Sequence, residues 1–511
     1  MFRIDHIRNY RLSPRMKTTF FSVWFWGFVA HLYMYMNRIV NHDTVYALKS
    51  SGSSIASGRW MIYILDEISF KFNNHYITPW GIGFLTIFLY AVSACVLVKT
   101  FDIRNKPLCS VLGALLITYP TVTSTNLYIS TAHYYALAFL LACGSVLLIR
   151  MCSTVPAVLG SSLMIACSLG IYQAYLPFVL SMYVLLVLLD CLCRETATSD
   201  IIKTALKLLA TLFGGLVFYF VIHRCFLHLT ATQMNIYMGL ETMGKIDISS
   251  IPSILKKCYS SFFGLFRENY CGVNHKPWLQ LLMLLCCLFS VGSVSFIIMK
   301  KRIRPLHIFF CCAAILLFPV AINAICIMTQ AEEAICTMTV YATIFVFIIP
   351  ICIADRLSAC MTLNRAFVLE MGLCLALGTA SFYYTTLANE AYLSLEYSNQ
   401  NINAYYTELA AQIKSLDGFS TDLQVAFIGE NQDDSIPELN FDYVIRGTLT
   451  PSVQMNIYSR EYFMTMHCGY GCTFVTDTEY LENDARVKAM PAYPSNGSIC
   501  IIDDVIVVKF S

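Results

Sequence analysis

Charge is what this chain has least of. Only 13% of its 511 residues are Asp, Glu, Lys or Arg, 57% are hydrophobic, and the mean hydropathy is +0.61. Soluble domains carry about a quarter charged residues, so the composition excludes an ordinary soluble protein and indicates a polytopic membrane protein. The two signs nearly cancel at a net +2. Lys and Arg form no basic patch interleaved with aromatics, which argues against a nucleic-acid partner. Also lacking are a P-loop, a dinucleotide-binding glycine fingerprint, a serine-hydrolase elbow and a zinc-protease helix motif. With no room for a nucleotide-binding domain in the short basic loops, an activated substrate is expected to arrive attached to lipid.

What the chain has in excess is apolar sequence of membrane length. A bilayer core needs about 20 apolar residues per helix, and about eleven such runs can be placed. They lie near 18–37, 80–98, 107–120, 132–149, 155–171, 177–193, 203–223, 278–299, 305–326, 338–354 and 366–387. Lys and Arg collect on alternate connections: Arg15 and Lys17, then Lys99, Arg104 and Lys106, then Arg150 and Arg194, then Lys300, Lys301, Arg302 and Arg304, then Arg356 and Arg365. The positive-inside rule assigns that side, with the N-terminus, to the cytoplasm. The first run is flanked by Arg38 without a small-residue cleavage site, so it reads as an anchor. After about residue 388 the apolar runs shrink to strand length. The expected fold is therefore mainly α: a helical bundle over residues 1–387 and a small extracytoplasmic α/β domain over 388–511, with a helix over 396–416 and strands near 425–428 and 499–508.

Most of the 22 cysteines sit inside apolar runs, where they pack as small hydrophobes. Cys468 and Cys472 stand apart, on the presumed oxidising side, at a spacing that allows a local disulfide. Zinc is the competing reading, with His467 alongside, but four ligands are not in view.

The loop after the first apolar run is the richest in chemistry. It carries Asn41-His42-Asp43 and then Gly58-Arg59-Trp60. From there Met61, Ile64, Leu65, Ile68 and Phe72 recur at helical spacing, with Arg59, Tyr63, Glu67 and Lys71 on the opposite side. This predicts an interfacial helix with its apolar side in the membrane. Moving a sugar off a lipid phosphate needs a base for the acceptor hydroxyl and a cation for the departing phosphate. Asp43 suits the first role and also suits a helix cap. Arg59, supported by Lys71, suits the second and also suits an ion pair with Asp66 or Glu67.

Further substrate contacts on the same side are His42, Asp66, Glu67, His133, Tyr172, Gln173, Glu332 and Glu333, with Lys256, Lys257, Arg267 and Lys276 as other phosphate contacts. Simpler roles are a belt position for Tyr172, a helix anchor for His133 and a solvated loop for Glu332-Glu333. No cofactor is indicated. A divalent cation fits only if folding gathers Asp43, Asp66, Glu67, Glu332 and Glu333 into one oxygen-ligand set.

With an acidic first outer loop, Ser57-Gly58-Arg59-Trp60, the later Tyr172-Gln173-Ala174-Tyr175 turn and an outer C-terminal tail, the chain resembles the bacterial serotype-converting glucosyltransferases that modify O-antigen. The resemblance covers most of the membrane portion. It implies a GT-C type fold in the bacterial inner membrane, a polyprenyl-phosphate sugar such as undecaprenyl-phosphate glucose as donor, a surface polysaccharide as acceptor, and inversion at the anomeric carbon. It also implies that Asp43 stands where such enzymes keep their first-loop carboxylate. The rivals are a lipid-linked oligosaccharide flippase, disfavoured because the spans hold almost no ionisable residues, and a non-catalytic assembly protein.

Overall fold

The computed structural model describes residues 12–46, 53–73, 77–152, 154–234, 248–329, 334–430, 445, 447 and 460–511. Glu332 and Glu333 lie outside the described residues. In chain order the helices are α1 (Pro14–Met36), α2 (His42–Tyr46), α3 (Ser53–Ala56), α4 (Trp60–Asn73), α5 (Pro79–Thr100), α6 (Lys106–Thr118), α7 (Pro120–Leu127), α8 (Ala132–Met151), α9 (Val155–Ile171) and α10 (Leu176–Cys191). They continue with α11 (Thr198–Leu229), α12 (Ile251–Gly264), α13 (Pro277–Lys301), α14 (Pro305–Ile322), α15 (Ile325–Met328), α16 (Phe345–Ser358) and α17 (Leu363–Lys414). Strand β1 (Gln424–Ile428), helix α18 (Arg460–Met466), and strands β2 (Ile499–Ile502) and β3 (Val505–Lys509) complete the elements used below.

All eleven apolar runs are helical. Among the described residues nine helical stretches are long and apolar enough to cross a membrane. The two outside that set are α9, at 17 residues, and α1, whose Trp, Tyr and His content dilutes its apolarity. The chain divides into two compact units, one of residues 1–36, 51–389 and 443–446, the other of residues 37–50, 390–442 and 447–511.

In the first unit, α1 packs against α5 and α6, α5 against α8, and α9 against α8 and α11. Small residues make the close crossings, as expected where lipid offers no hydrophobic gain for helix pairing. Gly83 lies beneath the Tyr35 ring, Gly113 against the Thr19 carbonyl, and Gly215 against Ile165. Ser22 donates to the Ser110 carbonyl at 2.6 Å and Ser162 to the Thr211 carbonyl at 3.0 Å. Outward, Phe213, Leu317 and Leu375 are exposed, a surface that suits lipid and not water. At one end of the bundle Arg15 pairs with Asp102 at 2.8 Å, and Arg356 donates to the Phe101 and Asp102 carbonyls. There the buried Asp355 carboxylate accepts from the backbone N–H groups of Arg104 and Asn105 at 2.9 and 2.8 Å. The basic connections read from sequence at residues 15, 104 and 356 thus share one end of the helices.

In the second unit the sheet order is β1-β3-β2, with β1 parallel and β2 antiparallel to β3. The β2–β3 hairpin turns through Asp503 and Asp504, both at positive φ, as a two-residue hairpin turn requires. Alternation along the strands sends Val425, Phe427, Ile506 and Val508 onto Ile402, Tyr406, Leu409 and Ile413 of α17, and Ala426 and Val507 onto Leu481, Val487 and Met490. Cys468 and Cys472 are both free thiols, so the disulfide expected between them is not formed. The Cys468 thiol instead donates to the Asn403 side chain at 3.3 Å, while Cys472 packs into the core beneath β1.

Candidate functional site

The two motifs that carried the family resemblance meet in space. The chain turns at Gly58 with φ +75°, and its carbonyl accepts from the Tyr219 hydroxyl at 3.2 Å. The Gln173 amide donates to the Ser57 carbonyl at 2.9 Å and to Tyr219 Oη at 3.1 Å. A Cβ on Gly58 would stand 2.6 Å from Tyr219 Oη and 2.7 Å from Gln173 Nε2. Glycine is therefore required twice, for the left-handed backbone and for the close approach. Gly58→Ala is expected to lower stability by about 1–2 kcal/mol and to shift Arg59, read as a lower melting temperature.

From this turn Arg59 reaches over the Tyr172 ring, its guanidinium carbon 5.2 Å from the centroid. The next residue, Trp60, is wedged against Gly170 and stacked on Phe226 at 6.0 Å. These contacts fix where α4 starts. Ile68, on the apolar side expected to face the membrane, is exposed, but so are Glu67 and Lys71 of the side expected to line a pocket, and the inward stripe of α4 runs through the buried Ile62. Asp66, one helical turn beyond Ile62, lies on this inward stripe, and so does Arg59, two turns before Asp66. Packing against α9 and α11 chose this face, because at a membrane interface apolar residues also face outward.

Asp66 hydrogen-bonds the Tyr134 hydroxyl. Burial pushes its carboxyl up to about 6; the Tyr134 hydrogen bond works against that shift, and the Glu67 charge adds to it. Tyr134 lies against the His133 ring at 3.9 Å, and Tyr135 against Tyr172 at 4.8 Å. The head of α8 thus links the carboxylate of Asp66 to the cation of Arg59. Tyr90 continues the polar strip inward, hydrogen-bonding Tyr175 and Thr125. Beside Thr125 the fully buried Asn126 has both amide atoms without a hydrogen-bond partner among the described residues.

The structure therefore gathers Arg59, Asp66, His133, Tyr172 and Gln173. Glu67 and Lys71 share α4 but are exposed. Lys256 and Lys257 sit on α12, which packs on α14 and α15, and Arg267 and Lys276 flank the turn into α13. Asp43 and His42 belong to the second unit, on α2, with His42 Nε2 3.2 Å from the Asp43 carboxylate. Asp43 is exposed and is not the cap: Asn41 takes that role, accepting from the Thr44 backbone at 2.9 Å. Among the described residues no three His, Cys, Asp or Glu gather as metal ligands. Sequence reasoning missed Tyr134, Tyr135 and Tyr219. The first two were signalled by the His133-Tyr134-Tyr135 run at a helix head, whereas Tyr219 lies inside an apolar helix with nothing to mark it.

Neither a curated protein nor a solved structure matches the chain. A family model described as Glucosyl transferase GtrII matches residues 32–347, which include both converging motifs, Asp43 and Asp66. With that match over more than half its length, the chain belongs to the GtrII glucosyl transferase family, and this protein of many apolar helices is a glycosyltransferase.

Proposed function

We propose that the protein transfers a sugar, glucose, from a polyprenyl-phosphate donor such as undecaprenyl phosphate to a surface polysaccharide such as O-antigen, with inversion, at the extracytoplasmic face of a bacterial inner membrane. The observation that carries this reading is the convergence of Ser57–Trp60 with Tyr172–Tyr175, which sets Arg59 and Asp66 on one inward stripe of a helix beside membrane spans. In this reading the Arg59 guanidinium holds the donor phosphate by paired charge-assisted hydrogen bonds, and Lys71 adds charge at the far end of α4. The Asp66 carboxylate, ionised above about pH 6, accepts hydrogen bonds from donor sugar hydroxyls. Asp43 takes the proton of the acceptor hydroxyl as it attacks the anomeric carbon, and the lipid phosphate leaves from the opposite face. The network of Arg15, Asp102, Asp355 and Arg356 marks the cytoplasmic end, and the C-terminal domain lies outside and positions the polysaccharide.

The test is incubation of the purified protein with labelled polyprenyl-phosphate glucose and candidate acceptor glycans, which should yield a new glycosidic bond. A flippase or an assembly protein would give none. Arg59→Ala removes a charged donor of hydrogen bonds from a partly buried site, so donor KM should rise by about 10–100-fold. An unchanged donor KM would remove Arg59 from phosphate recognition.

A further inference from the structure

The second unit holds a pocket of its own, with a volume of about 230 Å³. One wall is the polar stripe of α17: Glu396, Asn399, Gln400 and Asn403 recur at i, i+3, i+4 and i+7, beside the apolar stripe of Leu395, Ile402, Tyr406 and Leu409 that packs inward. The opposite wall is Asn37, Arg38 and Ile39, and the floor is Phe463 with His467 stacked on it, rings 4.6 Å apart and 16° from parallel.

The walls are held in place. Asn399 donates to the Val40 carbonyl at 2.9 Å and accepts from the Val40 N–H at 3.4 Å, which ties the wall of Asn37, Arg38 and Ile39 to the helix. Asn403 accepts from the Cys468 thiol, which ties the helix to the segment after His467. Gln400 and Arg38 are exposed at the rim. Asp43 is nearby in the chain and in the fold, since α2 packs against α18, the helix that carries Phe463.

The chemistry selects among ligands. A pocket below the roughly 300–1,000 Å³ that encloses drug-sized molecules has room for about one hexose ring. Amide, guanidinium and imidazole groups supply donors and acceptors together, as vicinal hydroxyls demand, and the planar Phe463–His467 pair offers a face for the sugar's C–H edges. Net charge argues against a phosphate. Arg38 and Glu396 oppose each other, and burial, with Arg38 beside it, holds the His467 imidazole down at about 4, so it is neutral at physiological pH. We infer that this pocket is the subsite for one uncharged sugar unit of the acceptor glycan, held next to the segment that carries Asp43. The inference rests on the reading of the protein as a transferase acting on a polysaccharide.

Saturation-transfer NMR on the full-length protein in lipid nanodiscs, free of glycoside detergent, tests it with methyl glucoside, methyl galactoside, methyl mannoside and N-acetylglucosamine as probes. Inorganic phosphate serves as the competitor. The expected result is a signal from at least one sugar that phosphate does not displace. It should weaken at least about tenfold in Gln400→Trp, which fills the rim from an exposed position, and measurably in Arg38→Ala. No signal from any sugar, equal signals in both variants, or displacement by phosphate would overturn the subsite. Binding and transfer fail separately. Sugar binding that depends on Gln400 in a protein that transfers nothing from a polyprenyl donor sinks the donor reading and keeps the subsite, whereas transfer without such binding does the reverse.

Discussion

Asp43→Asn is expected to lower kcat for sugar transfer by about 10²–10⁴-fold while leaving donor KM within about twofold. The substitution keeps the size and shape of the side chain and removes only its basicity. Asn41 supplies the cap of α2, and the Asp43 side chain is exposed, so neither a capping bond nor core packing is lost with the carboxylate. A structural role would therefore show as a small change in both parameters. A catalytic base shows in kcat alone, because proton transfer from the acceptor hydroxyl takes place only in the transition state. His42 Nε2, 3.2 Å from the carboxylate, is placed to steady it, so His42→Ala should give a smaller loss of the same kind. Full activity in a correctly inserted Asp43→Asn protein would defeat the assignment.

The parts of this protein that could be read from its sequence are those fixed by local chemistry. A span must satisfy its backbone within itself, so each apolar run of membrane length had one available structure, and all eleven runs are helices. The strands near 425 and 500 were visible for a related reason, as short β-branched runs bounded by turn residues. The orientation of α4 was not visible. Its pattern put Met61, Ile64, Leu65 and Ile68 toward the membrane and Arg59, Tyr63, Glu67 and Lys71 toward a pocket, yet Glu67 and Lys71 are exposed and the inward stripe runs through Ile62 and Asp66. Periodicity reports contrast between faces, and contrast fades where one face meets lipid and the other meets protein. The pairings that make the site are long-range: Gln173 on Ser57, Arg59 on Tyr172, Asp66 on Tyr134. Each member could be nominated by its residue type, but nothing in a single sequence says which partner it meets. The unformed Cys468–Cys472 bridge belongs to the same class, because sequence spacing permits a bridge without specifying the partner that Asn403 turns out to be.

Asp66→Asn should make the protein more stable at neutral pH and a poorer enzyme. Burial raises the Asp66 carboxyl from 3.8 to about 6, so the folded protein binds this proton more tightly than the unfolded chain does. Its contribution to stability is accordingly greatest when the group is protonated in both states. It declines as pH climbs from about 4 to about 6, and above about 6 the full cost of holding a partly buried carboxylate remains. Asparagine cannot ionise, and its Oδ1 can still accept the Tyr134 hydrogen bond. The variant should therefore match the wild type near pH 4 and exceed it above pH 6 by about 1–2 kcal/mol, a figure reduced for the partial exposure of the group. A rise in apparent melting temperature at pH 7.5 but not at pH 4 would register the difference. Natural chains keep such a cost where function needs the charge. In wild type kcat/KM for the donor should fall as pH drops through about 6, because the protonated carboxyl no longer accepts from sugar hydroxyls. The variant should lack that step and show a donor KM raised by about tenfold at neutral pH. A melting temperature lowered at pH 7.5, with donor KM and pH profile unchanged, would make Asp66 a structural partner of Tyr134 and leave Arg59 to hold the donor without it.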